Sequence, residues 1–242
     1  ANTAAAGFFR QELGSEGPDA GHARAYTAKR GVDDTTQEQF QIGFARDSWN
    51  ALRTYMNKLG YTDETLVEVG LARRGESGIY DVFRNRLIFP IIDRRGNIIG
   101  FGGRTLGDDP AKYMNTPQTE AFDKGRVLYG LPIAREAIRE TKSVVIVEGY
   151  MDVLAAHQNN YKNVVAAMGT AITPSQVRLL RGMAKRIIIA LDADTAGIAA
   201  TRRSLELVSS SPTDQAKPVL NSLVQYENRS EADIFVAALP LP

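Results

Sequence analysis

The sequence predicts an α/β protein, an α+β N-terminal subdomain followed by a largely parallel sheet with helices on both faces. Three observations carry this. After Lys142, the apolar runs 144–147, 164–167 and 187–191 alternate with amphipathic stretches near 151–159, 174–181 and 197–208, which is the pattern of βα units. Upstream, two β-rich runs, 87–92 and 97–101, flank the charged turn Asp93-Arg94-Arg95-Gly96, as in an antiparallel hairpin. Before residue 71 the periodicity is helical and the segments are short.

Taken in order, residues 2–13 read as a helix, 15–21 as a polar break, and 23–30 as a second helical pattern closed by Gly31. Asp47 and Thr62 stand where helix N-caps are expected, the second followed by Asp63 and Glu64, which suit the positive end of a helix dipole. Residues 102–141, rich in glycine, proline, basic and aromatic side chains, read as an ordered loop region. Residues 209–230 form a polar interruption with no assigned role, and 233–239 resume as a strand. The division expected is 1–141 for the first subdomain and 142–242 for the second, the latter truncated at its C-terminal end.

Composition narrows the function without choosing it. The 242 residues carry 29 basic and 28 acidic side chains, a net charge of +1, so any nucleic-acid surface must arise by local segregation of charge. With no cysteine and only 2 histidines, disulfides, thiolate zinc sites and imidazole-rich metal sites are excluded within the chain. No apolar run approaches the ~20 residues of a membrane helix, and the start lacks a secretory n-region, so a cytoplasmic location away from membranes is expected. No Gly-x-x-x-x-Gly-Lys-[Ser/Thr] segment occurs, which argues against a P-loop motor.

The acidic residues are placed suggestively. Glu148 follows Val144-Val145-Ile146-Val147 and precedes Gly149, while Asp192 and Asp194 end the run 187–191. Ligands of open α/β sheets collect at the carboxyl ends of parallel strands, so these three carboxylates can share one rim. If strand geometry continues through Ala193, Asp192 and Asp194 face the same way, and at ~4 Å with an effective dielectric of ~20 their repulsion is roughly 4 kcal/mol. A divalent cation reverses that term, and oxygen-only ligation favours Mg²⁺ or Mn²⁺ over zinc. The plainer alternative makes Glu148 and Asp152 ordinary helix-start acids and Asp194 a turn cap.

A second theme is a cation beside glycine, tyrosine or asparagine: Gly103-Arg104, Lys112-Tyr113-Met114-Asn115, and Lys124-Gly125-Arg126. Cations neutralise phosphates and aromatic faces stack bases without demanding sequence. The alternative is a solvated loop pinned to the core by Tyr113 and Phe122. Trp49 is expected in a core cluster with Phe40 and Phe44, His22 and His157 at surface or helix positions, and Thr173-Pro174 as a helix cap.

Strand-Glu-Gly-Tyr-Met-Asp at 148–152, followed by strand-Asp-Ala-Asp-Thr-Ala-Gly at 192–197, resembles the Toprim domain shared by bacterial primases, topoisomerases and some nucleases. Arg84-Asn85-Arg86-Leu87-Ile88-Phe89-Pro90-Ile91, Asp93 through Arg104, Lys112 through Pro117, Lys124-Gly125 and Leu128-Tyr129-Gly130 are similar to the DnaG-type bacterial DNA primase catalytic core, as are Lys29-Arg30-Gly31-Val32 and residues 40–45. The resemblance spans about 5–208 and the final strand.

It implies a nucleotidyltransferase that makes RNA primers on single-stranded DNA from ribonucleoside triphosphates. Glu148, Asp192 and Asp194 match the family's metal ligands, Asp152 matches a further acid, and Arg30, Arg104, Lys112, Tyr113, Asn115 and Lys124 match a basic groove for template and nucleotide. It further implies a fragment without the family's zinc-binding and helicase-binding modules. The family has another acidic cluster directly after the strand that 234–240 resembles. The rival expectations are a Toprim nuclease or topoisomerase, and a non-catalytic single-strand-binding module derived from a primase.

Overall fold

The computed structural model describes residues 1–169, 172–192, 215–219, 223–227 and 233–239, with side chains through Ala190. It divides into two compact units, Ala1–Asp123 and Lys124–Pro242. The first contains α1 (Asn2–Leu13), α2 (Pro18–Lys29), α3 (Asp34–Gln39), β1 (Gly43–Ala45), α4 (Ala51–Lys58), α5 (Asp63–Glu68), β2 (Ala72–Gly75), β3 (Gly78–Asp81), β4 (Arg86–Ile92), β5 (Ile98–Thr105) and β6 (Tyr113–Asn115).

Helix α1 supplies the first unit's core by burying Ala5, Ala6, Phe8, Phe9 and Leu13 on one side. Phe9 meets Phe101 and Phe83 edge-on, with ring centroids 5.4 and 6.5 Å apart. Strand β1 lies so close to this helix that a Cβ on Gly43 would stand 2.6 Å from that of Phe9, so only glycine fits. The buried Glu12 carboxylate of α1 is neutralised by a two-pronged bond from Arg46.

The sheet runs β1-β4-β5-β6, and every neighbouring pair is antiparallel. The expected hairpin is β4 and β5, its turn closed by Asp93, whose carboxylate accepts the N–H groups of Arg95 and Asn97. Pro90 is tolerated in β4 because β1 pairs only with Arg86 to Ile88, leaving β4 locally an edge farther along.

The second unit contains a 3-10 turn (Lys124–Arg126), α6 (Leu131–Thr141), β7 (Ser143–Val147), α7 (Tyr150–Gln158), β8 (Val164–Ala166), α8 (Pro174–Leu180), β9 (Arg186–Asp192), β10 (Gln215–Val219), β11 (Leu223–Glu227) and β12 (Asp233–Leu239). Its sheet runs β10-β11-β12-β9-β7-β8. The expected parallel set is present, since β12 pairs parallel with β9, β9 with β7, and β7 with β8. Val144, Ile146, Val165, Ile187 and Ile189 of these strands pack with Leu131, Ala134 and Ile138 of α6 and Leu180 of α8.

Several expectations change. Helix α2 begins at Pro18, inside the supposed break, because proline suits a first helical position. Asp47 caps nothing there: α4 starts later, at Ala51, whereas Thr62 does accept the Thr65 N–H as the cap of α5. The supposed loop 102–141 ends in α6, whose buried Leu131, Ala134 and Ile138 have helical spacing. Strands β10 and β11 form an antiparallel pair within 209–230, with Pro218 on the sheet-edge strand. The helix expected over 197–208 lies outside the described residues.

His157 is buried and bonds through Nε2 to the Val164 carbonyl at 2.9 Å, tying α7 to β8. The 3-10 turn and α6 group with the second unit, earlier than the 141/142 division expected from sequence. Among the described residues no helix is long and apolar enough to cross a membrane.

Asp81 holds the start of α4. Its carboxylate accepts the N–H groups of Leu52 at 2.8 Å and Arg53 at 3.0 Å, yet burial pushes its pKa from 3.8 up to about 6. Over roughly pH 4 to 6 the folded chain therefore holds a proton that the unfolded chain releases. This group's contribution is complete below about pH 4 and lost as pH rises through about 6. Denaturant titrations should show wild type losing on the order of 2–3 kcal/mol across that window relative to Asp81→Asn; equal pH profiles would contradict the shift.

Candidate functional site

The acidic candidates of the second unit are organised by strand register. β7 and β9 pair Ser143 with Arg186 through Ile146 with Ile189, so Glu148, directly after β7, stands within one residue of level with Asp192, the last residue of β9. Both leave the sheet at its carboxyl edge, and the same register puts Leu239 of β12 beside Asp192. Glu148 is half-buried, and its carbonyl accepts the Met168 N–H at 3.1 Å, which extends the β8 ladder to it. Met168 (φ 61°) and Gly169 (φ 80°) are both left-handed there, a conformation costly for methionine that the neighbouring ladder must hold.

Asp152 has a defined local job. One oxygen of its carboxylate accepts the Gly149 N–H at 2.9 Å, closing the first turn of α7. The plainer alternative weighed from sequence is therefore present for this residue. Asp194 and the side chain of Asp192 lie outside the described residues, and among the described residues no three His, Cys, Asp or Glu side chains converge on a metal position. Glu148 and Asp192, the acids at this edge, offer carboxylate oxygen, a donor type that suits a hard divalent cation better than zinc.

In the first unit, three of the predicted basic and aromatic residues come together. The Arg104 guanidinium on β5 stands 5.0 Å from the Tyr113 ring centroid and donates to the Tyr113 hydroxyl at 2.5 Å, across the β5–β6 pair. The ring of Tyr26 on α2 is also 5.0 Å from this guanidinium. Arg30 reaches the same Tyr26, with its Nε–H donating to the hydroxyl at 3.0 Å. Lys112 is exposed beside Tyr113, and Asn115 follows on β6 opposite Gly102. Lys124 belongs to the second unit, in the 3-10 turn.

Sequence reasoning missed two members. Tyr26 joins Arg30 to Arg104, and its position on α2 four residues before Arg30, the residue that caps the helix, was the available signal. Trp49 is 63% exposed instead of buried with Phe40 and Phe44, and it stacks under the Arg84 guanidinium at 4.1 Å with Tyr80 edge-on at 5.4 Å. The bulk of the ring suggested a core position. The cation that covers one face of the ring lies 35 residues away in the chain and carries no sequence signal.

Buried polar anchors set both loops. Arg86, 2% exposed, donates to the Ala111 carbonyl at 2.9 Å and to Asp109 at 2.6 Å, which fixes the approach to Lys112 and Tyr113. Gln176 of α8, fully buried, donates to the carbonyls of Lys124 (3.0 Å) and Val127 (2.9 Å). Thr173 caps α8 as expected, accepting the Gln176 N–H at 3.1 Å while donating to the Gly125 carbonyl at 2.5 Å.

Against known proteins, residues 8–135 match the family described as DNA primase catalytic core, N-terminal domain, and residues 142–216 match the Toprim domain. The chain is 44% identical to a DNA primase of Clostridium acetobutylicum over 208 residues, covering 86% of this chain and 34% of that protein. It is 40% identical to a DNA primase of Synechocystis over 238 residues, covering 96% of this chain and 37% of that one. The chain thus spans about a third of the length of the curated relatives it matches.

Among solved structures, a DnaG primase catalytic domain bound to single-stranded DNA superposes with a TM-score of 0.81 at 34% identity, covering 99% of this chain and 69% of that one. The RNA polymerase domain of the Mycobacterium tuberculosis primase gives 0.78 at 35% identity, covering 85% and 69%.

Arg86→Met keeps the buried volume and removes the bonds to Asp109 and Ala111. It is expected to cost about 2–3 kcal/mol and to open 106–112 to proteolysis. Denaturation midpoints and mapped cleavage sites check this, and a protected loop at wild-type stability would remove Arg86 as the anchor.

Proposed function

The chain belongs to the DNA primase catalytic core family, and on that premise we propose that it catalyses the joining of ribonucleotides into short RNA primers on a single-stranded DNA template. The observation that carries this reading is the register placing Glu148 and Asp192 at one carboxyl edge of a parallel sheet, in a chain whose first unit clusters cations on aromatic faces. In such a transfer the primer 3′-hydroxyl oxygen attacks the α-phosphorus of the nucleoside triphosphate and gives up its proton to solvent, a phosphodiester forms, and pyrophosphate leaves with the electrons of the broken P–O bond.

Glu148, Asp192 and Asp194 would hold Mg²⁺ or Mn²⁺, whose chemistry is charge neutralisation on the triphosphate. Asp152 would keep the backbone turn after Glu148 in place through its bond to Gly149. Arg30, Arg104, Lys112 and Lys124 would meet phosphates, and Tyr113 and Asn115 would meet base or sugar edges of template or nucleotide. Exposed Trp49, backed by Arg84 and Tyr80, offers an aromatic face on which a base can stack. The domain roles follow, with nucleic-acid and nucleotide contacts in the first part and metal-dependent chemistry in the Toprim part. For the whole protein a replicative helicase is an expected partner and the bacterial cytoplasm the expected location.

Ribonucleotide incorporation on single-stranded DNA with Mg²⁺ or Mn²⁺ tests the reading. Glu148→Gln is expected to lower primer yield by about a hundredfold or more while the chain still binds DNA, and Asp192→Asn and Asp194→Asn to weaken Mn²⁺ binding in calorimetry. Unchanged metal affinity in both would return these acids to the role of turn residues, and DNA binding without incorporation would favour a non-catalytic module.

The nucleic-acid contacts separate by salt. Lys112→Ala should reduce the log-log salt slope of single-stranded DNA affinity by ~0.7, the loss of one phosphate contact. Trp49→Ala should weaken binding by about tenfold at nearly wild-type slope, because stacking releases no counterions. Anisotropy across a salt series reads both, and wild-type curves would make both residues solvated surface.

A further inference from the structure

Tyr26 lies on α2, outside every segment that signalled nucleic-acid contact in the sequence, yet it is where two guanidinium groups from distant elements meet. Arg30 reaches it from one helical turn along, with its Nε–H bonded to the hydroxyl at 3.0 Å and its guanidinium carbon 5.5 Å from the ring centroid. Arg104 reaches it from β5, 5.0 Å from the same centroid, while standing 5.0 Å from the Tyr113 ring as well. Two like charges on one ring repel each other, and among the described residues neither has a carboxylate partner.

The ring faces lower the cost of each cation through the aromatic quadrupole but deliver no net negative charge. Arg104 also carries a buried Nε–H with no bonded partner among the described residues. A buried donor in that state lacks an acceptor that a ligand oxygen can supply. Both the missing counter-charge and the missing acceptor are properties of a phosphate.

We infer that Tyr26 is a positioning residue: its ring and hydroxyl fix Arg30 and Arg104 at one spacing, so that the pair acts as a single clamp for phosphate oxygens. The inference deepens the primase reading above and rests on it. The phosphate belongs to the template backbone or to the incoming triphosphate, and the two sources separate experimentally. Neither arginine is lost when Tyr26 changes, so the charge of the surface stays constant while its geometry does not. A purely structural tyrosine affects folding without changing how many phosphates the surface engages.

The test uses the whole chain with Tyr26→Leu and Tyr26→Phe, measuring single-stranded DNA affinity across a salt series and KM and kcat for ribonucleotide incorporation. If the clamp holds the template, Tyr26→Leu lowers DNA affinity by roughly tenfold and the salt slope by ~0.7 to 1.4, the loss of one or two phosphate contacts, although no charge has been removed. If it holds the triphosphate, KM rises by a similar factor with kcat and slope nearly constant.

Tyr26→Phe keeps the face under Arg104 and loses the bond from Arg30, so it falls between wild type and Tyr26→Leu. Should Tyr26→Leu fail to fold, Tyr26→Phe decides the matter through a twofold to threefold weakening in one of the two arms. Wild-type slope, affinity and KM in a folded Tyr26→Leu, or in Tyr26→Phe where only that variant folds, overturn the inference and leave the primase reading intact. A wild-type chain that neither binds single-stranded DNA nor incorporates ribonucleotides overturns both.

Discussion

Because β7 and β9 run parallel and pair Ser143 with Arg186 through Ile146 with Ile189, whatever follows either strand must leave from the same edge of the sheet. The buried interiors of the strands cannot carry the acids. Val144, Ile146, Ile187 and Ile189 are buried under α6 and α8, where an unpaired carboxylate costs several kcal/mol. Glu148, half-buried, stands directly after β7, and Asp192 is the last residue of β9. The β8 ladder then holds Glu148 through the Met168 N–H, with the left-handed Met168-Gly169 turn as the local cost.

The first unit solves a different problem, presenting cations on a chain whose net charge is only +1. Acidic partners remove some arginines from the free surface: Glu12 takes Arg46, Asp63 takes Arg53, and Asp109 takes Arg86. Arg30 and Arg104 are held by aromatic rings instead and make no ion pair among the described residues, whereas Arg84, on Trp49, also feels the Asp81 and Asp109 carboxylates. Segregation of charge is thus achieved by the choice of partner as well as by position. A guanidinium on a ring is oriented like one in an ion pair but remains able to bind an anion.

This division explains what the sequence could show. Strand-sized apolar runs before Glu148 and Asp192 were legible because buried parallel strands need continuous hydrophobic residues, and register then follows from pairing. The β4–β5 hairpin was legible through the Asp93 to Gly96 turn. Helix α6 was obscured by the glycine- and proline-rich stretch before it, although its buried positions obey the helical period. Strands β10 and β11 were hidden because neither carries a long apolar run, and Pro218 argued against a strand in isolation. Trp49 and Tyr26 escaped because their partners Arg84 and Arg104 are brought by tertiary structure, which no local window contains.

Like charges are costly wherever they meet, and acids and arginines admit different kinds of compensation. Two carboxylates at ~4 Å and an effective dielectric of ~20 repel by roughly 4 kcal/mol. At the carboxyl edge of the second unit no aromatic face can help acids, since a ring presents the same negative potential that they carry. Acids brought together there would need a cation, as proposed above. The arginine pair on Tyr26 gains about 0.5–1 kcal/mol per exposed ring contact, which orients each group without cancelling its field. The surface around Tyr26 consequently keeps an attraction for anions after folding is complete, and the rigidity of one shared ring makes that attraction specific in geometry.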